Sequence, residues 1–332
     1  MNVAPDEPGV VLTVTPNPAL DVTYDVERLV PHASHRVLAV REVAGGKGLN
    51  VAGVLRCCAV PVLATGAVGG PAGEQLRADL DARGVTHRFA RSCAPTRRTT
   101  TVVSLADGDA TAFNEPGAAW PVEAWSALVQ HVADLVDQHP VRVLVASGSL
   151  PPARSEGSHP GADGAPSFAD HAYADLTRVA HDAGLPVVVD ASRAALLGAL
   201  AAGPDVVKPN VHELREATGV QDPLEGAKAL QRKGARHVVV SLGAEGVLAV
   251  APDGTVVRAG LGEHLRGNPT GAGDAAVAAI AAGLARGTAW DECLRDAVAW
   301  SAAAVLQPTA GVVDPADIDR LRAAVRVETT GS

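Results

Sequence analysis

A run of small residues followed by one carboxylate is the clearest chemical feature of this sequence. Gly271, Ala272 and Gly273 precede an alanine-rich run of good helix propensity, so their main-chain amides are expected at an open helix N-terminus. Such amides, together with the helix dipole, suit a bound phosphate. Asp274 has two interpretations: a first-turn carboxylate that stabilises the helix end, or a base that takes a proton from a hydroxyl beside the phosphate. The motif alone leaves both open.

A second glycine-rich stretch, residues 45–50, leads into another predicted helix. It differs from a Walker A phosphate loop, because Gly48 follows Lys47 where that loop has Ser or Thr. Glycines such as Gly46 let a ligand approach the backbone, and a lysine with the amide of Asn50 suits a polyhydroxylated ligand that carries a phosphate. Glycine loops before helices can also serve the turn alone, and the stretch by itself does not separate the two.

Further polar side chains follow short apolar runs that indicate strands. Asp21 comes after a turn at residues 16–18 and suits either sugar hydroxyls or an Asx-turn. Arg97, one of two adjacent arginines, suits either phosphate oxygens or plain solvation. Asn210 and Glu213 stand three residues apart at a predicted helix start. That spacing is typical of a capping box and equally of a carboxylate that holds hydrated Mg²⁺.

These polar groups lie on a repeating pattern of strand, loop and helix. Apolar β-branched runs predict buried strands at residues 10–15, 62–68, 141–146, 186–189, 206–207 and 238–241, with helices at 73–83 and 173–183. The pattern predicts an α/β fold with a doubly wound, mainly parallel sheet flanked by helices on both faces. Ligands of such sheets bind beyond the carboxyl ends of the strands, where most of the polar groups fall.

Two regions, residues 21–43 and 97–115, contain strand-like pieces whose polarity alternates as in a sheet with one solvated face. We expect them to combine into a small β-sheet apart from the main one, as a cover over the site or a dimer surface. Residues 1–332 are otherwise expected to form a single domain. Residues 1–8 are expected to be a loose tail, and residues 153–167 a surface insertion rich in Gly, Pro, Ser and His.

The composition disfavours several classes of function. With 332 residues, 47% of them apolar and 20% charged, the chain can bury a large core. Its net charge of -9 disfavours a nucleic-acid partner, because duplex binding needs a clustered basic surface. There is no apolar run of membrane-spanning length and no signal-peptide pattern, so we expect a cytoplasmic protein. The four cysteines are expected to be reduced, buried thiols.

Together these stretches resemble the ribokinase-like (PfkB) carbohydrate kinases, and within them the 1-phosphofructokinase and tagatose-6-phosphate kinase group. The resemblance covers nearly the whole chain. It rests on motifs in the family's order at residues 15–21, 45–50, 147–151, 208–213, 241–246 and 268–274, of which 45–50 and 268–274 are the most specific. The fold implied is the ribokinase-like sheet with a small β lid, which closes the sugar site and often forms the contact of a homodimer.

The resemblance also implies roles for the matching residues. Asp274 resembles the family's catalytic base, and the amides of Gly271, Ala272 and Gly273 resemble its anion hole. Sugar hydroxyls would be held by Asp21, Gly46 and Asn50, and the phosphate already on the sugar by Lys47 and Arg97 with Ser149. The ATP positions would be Lys208, Asn210, Ser241, Gly243 and Gly246. Glu213 would orient Mg²⁺ through water, and Asn268 and Thr270 would be candidates for a K⁺ site.

The activity implied is ATP-dependent phosphorylation of a ketohexose phosphate, with fructose 1-phosphate to fructose 1,6-bisphosphate as the first hypothesis. Tagatose 6-phosphate and fructose 6-phosphate are alternative acceptors, since all three need a basic phosphate site. A non-catalytic phosphosugar sensor is the alternative from another class, and it would not need Asp274. A nicotinamide dehydrogenase would need G-x-G-x-x-G after the first strand, where residues 15–18 are Thr-Pro-Asn-Pro.

Overall fold

The fold is that of a computed structural model, which describes residues 9–154, 167–263 and 265–330. The expected loose tail (1–8) and residues 155–166 of the expected insertion lie outside the described residues. The strands are β1 (Val10–Thr15), β2 (Ala19–Val26), β3 (Ala39–Gly45), β4 (Val62–Val68), β5 (Ala90–Arg91), β6 (Arg97–Ser104), β7 (Asp109–Asn114), β8 (Val141–Ser147), β9 (Val187–Asp190), β10 (Val206–Val207), β11 (His237–Ser241), β12 (Val247–Val250), β13 (Val256–Leu261) and β14 (Val325–Thr330). The α-helices are α1 (Lys47–Cys57), α2 (Gly70–Ala82), α3 (Val122–Gln138), α4 (Ala172–Asp182), α5 (Arg193–Ala199), α6 (Val211–Thr218), α7 (Pro223–Arg232), α8 (Ala272–Arg286), α9 (Trp290–Val305) and α10 (Pro315–Arg322).

The main sheet of the described chain has the strand order β14-β13-β12-β11-β10-β9-β8-β1-β4-β5. From β11 to β5 all neighbours run parallel, and all of these strands except the two-residue β5 contain several valines, as expected for strands with helices on both faces. The predicted α/β fold with a doubly wound, mainly parallel sheet is therefore confirmed. The antiparallel edge formed by β12, β13 and β14 was not predicted.

Two hydrophobic cores lie on opposite faces of this sheet. One contains α1, α2, α8, α9 and α10, and the other contains α3 to α7. Helix α8 is buried at every residue from Asp274 to Gly283, as expected for a helix that is apolar all round. It packs against α1, α9 and β8. This packing on several sides fixes the direction in which the N-terminus of α8 points.

A separate small sheet has the order β3-β2-β6-β7, which confirms the prediction from residues 21–43 and 97–115. Strand β2 pairs antiparallel with β3 and parallel with β6. The sequence pattern predicts strand-like pieces at residues 22–26, 36–43, 98–105 and 110–113, and the strands begin one to three residues away from these positions because pairing within the sheet sets their ends. Apolar side chains of this sheet and of the segment before β3 are exposed: Val37, Leu38, Val40 and Phe113.

The cysteines and the helix lengths were both subjects of predictions from composition. The cysteines are free, but only Cys293 is buried; Cys57 and Cys58 are half-buried and Cys93 is exposed. The prediction of four buried thiols was wrong, because Cys93 falls in the short surface connection between β5 and β6 and because Cys57 and Cys58 lie at the end of α1. Within the described ranges, no helix has both the length and the apolar character needed to cross a bilayer.

Candidate active site

A cavity of about 1250 Å³ lies between the carboxyl ends of the parallel strands and the small sheet. Every predicted site residue except Asn268 lines it: Asp21, Gly46, Lys47, Asn50, Arg97, Ser149, Lys208, Asn210, Glu213, Ser241, Gly243, Gly246, Thr270, Gly271, Ala272, Gly273 and Asp274. The polar groups that follow the strands therefore lie together at one edge of the main sheet, as predicted. Asn268 instead links the loop before α8 to Pro308, whose carbonyl accepts from its Nδ2 at 3.1 Å.

The N-terminus of α8 opens into this cavity. Gly271 is the N-cap and has φ +86°, and a Cβ there would lie 2.7 Å from the Cβ of Ala310, so only glycine fits. The Ala272 amide donates to the carbonyl of Pro269 at 3.2 Å. Within the described residues, the amides of Gly273 and Asp274 have no hydrogen-bond acceptor. These two amides are therefore available to an anion in the cavity.

Asp274 is not a capping residue in this structure. Helix α8 has no side-chain cap, and Oδ2 of Asp274 accepts a hydrogen bond from Nδ2 of Asn50 at 2.8 Å. The side chain is buried and lines the cavity. Burial and the nearby charge of Asp190 raise the pKa of Asp274 to about 7, although Asn50 opposes the shift. A carboxylate with this pKa can gain and lose a proton near neutral pH, as a general base must.

Two lysines and two carboxylates form a charged cluster beside Asp274. Asp190 is fully buried, and its Oδ1 lies 3.3 Å from Nζ of Lys47 and 3.9 Å from Nζ of Lys208. Nζ of Lys47 also lies 3.6 Å from Oε1 of Glu213. Burial opposes the charge of Asp190, but the two lysines outweigh it and hold its pKa below the ordinary value. Asp190 was missed as a site residue, although it ends a predicted strand like the residues that were found.

The small sheet supplies the other end of the cavity. Burial raises the pKa of Asp21 to about 6, against a hydrogen bond from Thr99 and the charge of Arg97. Nε of Arg97 donates to the main-chain oxygen of Asn17 at 3.1 Å, and its Nη1 donates to that of Glu115 at 3.1 Å. A carboxylate and a guanidinium here suit a hydroxylated, anionic ligand. Asn17, whose side chain also faces this end, was missed by the sequence analysis.

The opposite end combines polar loops with an apolar wall. Asn210 and Glu213 form the capping box of α6, with bonds of 2.9 Å in both directions, so that interpretation of their spacing is correct. The second oxygen of Glu213 faces Lys47 in the cavity, so capping does not exclude a role towards a ligand. The apolar wall was missed and consists of Leu261, Leu265, Val298, Ala302 and Val305. Such a surface beside polar loops suits a flat nucleobase.

Two carboxylates of the cavity, Asp190 and Glu213, are the candidates for holding a metal ion. The described residues contain no group of three or more His, Cys, Asp or Glu side chains at metal-binding distance. Asp190 and Glu213 nevertheless both line the cavity near Lys47. Mg²⁺ is commonly bound by one or two carboxylates together with water and substrate phosphates. This pair therefore fits hydrated Mg²⁺ that arrives with a nucleotide.

Comparisons with known proteins agree with this geometry. Residues 15–317 match the model of the pfkB family of carbohydrate kinases. The chain is 36% identical over 326 residues to a 1-phosphofructokinase of Xanthomonas campestris pv. campestris, which covers 95% of this chain and 96% of that protein. Phosphofructokinase-2 of Escherichia coli in complex with potassium has a TM-score of 0.84 at 27% identity, covering 96% and 99% of the two chains. The tetrameric inhibited form of phosphofructokinase-2 from Escherichia coli gives 0.81 at 27% identity, covering 95% and 98%.

The family model, the relative and the solved structures all cover nearly the whole described fold. The fold is therefore ribokinase-like, and the protein is an enzyme that transfers a phosphoryl group to a hydroxyl. The chain belongs to the pfkB family of carbohydrate kinases.

Proposed function

We propose that this kinase transfers the γ-phosphoryl group of ATP to fructose 1-phosphate and so forms fructose 1,6-bisphosphate. The choice of acceptor is supported by the 1-phosphofructokinase of Xanthomonas campestris, at 36% identity over 95% of this chain. The reaction type is supported by one observation above the others. A buried carboxylate, Asp274, lies beside the available amides of α8 in the same cavity as Asp21 and Arg97.

In the proposed reaction, one proton moves to Asp274 and one phosphoryl group moves from ATP to the sugar. The oxygen of the sugar hydroxyl attacks the γ-phosphorus, the bond from that phosphorus to the β–γ bridging oxygen breaks, and Asp274 accepts the hydroxyl proton. The amides at the start of α8 and the ammonium of Lys208 neutralise charge on the moving group. Lys208 suits this task because its ammonium lies close to Gly273 at the start of α8. A Cβ built on that glycine would be 3.3 Å from Nζ of Lys208.

The acceptor occupies the small-sheet end of the cavity in this proposal. Asp21, Gly46 and Asn50 hold its hydroxyls. Arg97, Ser149 and Lys47 hold the phosphate that it already carries. Because Nζ of Lys47 contacts Asp190 and Glu213 here, its flexible side chain must turn to reach that phosphate.

ATP occupies the opposite end, at Lys208, Asn210, Ser241, Gly243 and Gly246, with its base against the apolar wall. Glu213 would hold hydrated Mg²⁺, and the ion would supply charge neutralisation at the phosphates. The backbone carbonyls of Asn268 and Thr270 are proposed as a K⁺ site. Support for that ion is the Escherichia coli phosphofructokinase-2 solved in complex with potassium.

The small sheet is proposed to act as a lid and as the contact of a homodimer. Closure over the cavity would exclude water and so limit wasteful hydrolysis of ATP. The exposed apolar side chains of Leu38, Val40 and Phe113 suit burial against a second copy. A phosphofructokinase-2 neighbour was solved in a tetrameric form, so assembly is a property of at least one relative.

The pH dependence of the reaction is expected to report Asp274. Because its pKa is about 7, kcat/KM should fall roughly tenfold for each pH unit below that value, as the base becomes protonated. The measurement is a pH profile with saturating Mg·ATP between pH 5 and 9. The sugar phosphate titrates in the same range, so the residual activity of Asp274→Asn serves as the control and should keep only the substrate's part of the limb. A flat profile in the wild type would contradict the assignment.

The acceptor is tested by a panel of sugars assayed for ADP release with ATP and Mg²⁺. Fructose 1-phosphate is expected to give the highest kcat/KM, because the basic site should favour a phosphate and the relative's activity favours the 1-phosphate. Unphosphorylated fructose is the control that shows whether the enzyme requires the phosphate on the acceptor. A preference for tagatose 6-phosphate or fructose 6-phosphate would change the acceptor but keep the reaction. Binding of sugar phosphates without any ADP release would contradict the proposed reaction.

A further inference from the structure

Asn17 joins three separate segments of the chain at the wall of the cavity. It lies between β1 and β2 and is only 9% exposed. Its Nδ2 donates to the carbonyl of Pro116 at 3.0 Å, to the carbonyl of Leu150 at 3.3 Å and to Oγ of Ser149 at 3.4 Å. The first acceptor belongs to the small-sheet side, after β7, and the other two follow β8 of the main sheet. One side-chain amide thus ties the two sheets together beside the acceptor site.

The main chain of Asn17 holds a fourth group. Its carbonyl oxygen accepts from Nε of Arg97 at 3.1 Å, while Nη1 of Arg97 donates to the carbonyl of Glu115 at 3.1 Å and approaches Oγ1 of Thr99 at 3.5 Å. Within the described residues, Nη2 of Arg97 makes no hydrogen bond. The guanidinium is therefore oriented on one side and able to donate to a ligand on the other.

The backbone after β7 comes close to the side chain of Asn17 at Gly117. Gly117 has φ +88°, and a Cβ there would lie 2.8 Å from Oδ1 of Asn17. Any side chain at this position would push the segment after β7 away from Asn17. The approach of this segment thus depends on a glycine as well as on the amide.

We propose that Asn17 is a positioning residue that fixes the Arg97 guanidinium and the Ser149 hydroxyl at one spacing, and so selects an acceptor that carries a phosphate monoester. The proposal rests on the proposed function, since it concerns the acceptor end of the same cavity. In this role Asn17 acts through Arg97 and Ser149, because the N–H groups of its own amide are already used. A fixed pair of donors binds a phosphate more tightly than a mobile pair, since less freedom is lost on binding.

The decisive variant is Asn17→Asp, which keeps the shape of the side chain but replaces the donor with an acceptor. Facing three acceptors, the new oxygen should separate the segments that Asn17 joins. KM for fructose 1-phosphate is expected to rise by roughly tenfold, equivalent to ~1.4 kcal/mol, while KM for ATP changes less than about twofold. Preference for fructose 1-phosphate over fructose should fall with it.

A matched control exists far from the cavity. Nε2 of Gln231, on α7, also donates to three main-chain carbonyls: those of Arg236 at 2.9 Å, Val250 at 3.2 Å and Ala251 at 3.0 Å. Gln231→Glu should lower the melting temperature as Asn17→Asp does, but leave both KM values unchanged. If both variants change the kinetics alike, or if Asn17→Asp raises the two KM values equally, the positioning role is refuted.

A double-mutant cycle is a second test of the positioning role, and it remains valid if the variants are less stable than the wild type. Asn17→Ala and Arg97→Ala act on one unit in this proposal, so their effects on fructose 1-phosphate binding should be clearly less than additive. Binding is measured by calorimetry without ATP, which keeps the result independent of turnover. Additive effects refute the positioning role alone. A wild-type protein that neither binds nor phosphorylates any sugar phosphate refutes both this role and the proposed function.

Discussion

Replacement of Asp274 by asparagine is expected to lower kcat by a factor of about 100 to 10,000, with little change in KM for either substrate. Asparagine keeps the size of the side chain and can still accept the hydrogen bond from Asn50, but it cannot take up the hydroxyl proton. The measurement is steady-state ADP release at pH 8, where the wild-type carboxylate is ionised. Undiminished turnover would remove Asp274 from the proposed mechanism.

The same variant should be more stable than the wild type, which separates lost chemistry from lost folding. A carboxylate whose pKa rises from 3.8 to about 7 on folding costs up to ~4 kcal/mol of stability once the pH exceeds 7. The penalty is absent well below pH 3.8, where the group is protonated in both states, grows between pH 3.8 and 7, and stays constant at higher pH. Urea unfolding of the two proteins at pH 5 and pH 8 tests this. An asparagine variant that is less stable at pH 8 would contradict a net cost of burying the Asp274 charge.

Much of this site could be predicted because the fold places it by a simple rule. The parallel strands end at one edge, so polar residues that follow the strands meet there, as Lys208 and Ser241 do. The role of Asp274 was not decidable in the same way, since a first-turn carboxylate suits both capping and catalysis. The deciding contact comes from Asn50, a residue 224 positions away in sequence.

The parts that could not be predicted depend on tertiary contacts. Asn17 stands in a turn whose local pattern indicates only a proline-rich bend, and its three acceptors come from positions 116, 149 and 150. The edge strands β12 and β13 are short and mainly apolar like the parallel ones, so period alone does not give their direction, and β14 is too polar and exposed to read as a buried strand. Asp190 ends β9 as other site residues end strands, but no local motif marks it.

Asp190 is the buried carboxylate that pairs with both lysines of the proposed site. Lys208 is only 4% exposed, and Asp190 is the carboxylate it faces at 3.9 Å. Lys47 is held by the same oxygen at 3.3 Å, while Oδ2 accepts a hydrogen bond from Ser147 at 3.4 Å. Removal of one partner from a buried ion pair typically costs about 3–5 kcal/mol. Folded proteins have about 5–15 kcal/mol in total, so a variant should fold but with a small margin.

Asp190→Asn is therefore expected to lower stability by about 3–5 kcal/mol and kcat/KM by up to about 100-fold, because Lys208 loses its alignment beside the amides of α8. It should also move the acid limb of the pH profile to lower pH, since the charge of Asp190 helps to raise the pKa of Asp274. Asp296→Asn is the matched control: Asp296 is a buried carboxylate paired with Arg322, away from the cavity walls. It should lower stability without moving the limb. A limb that stays in place in Asp190→Asn, or that moves equally in both variants, would show that Asp190 supports the fold and does not tune the base.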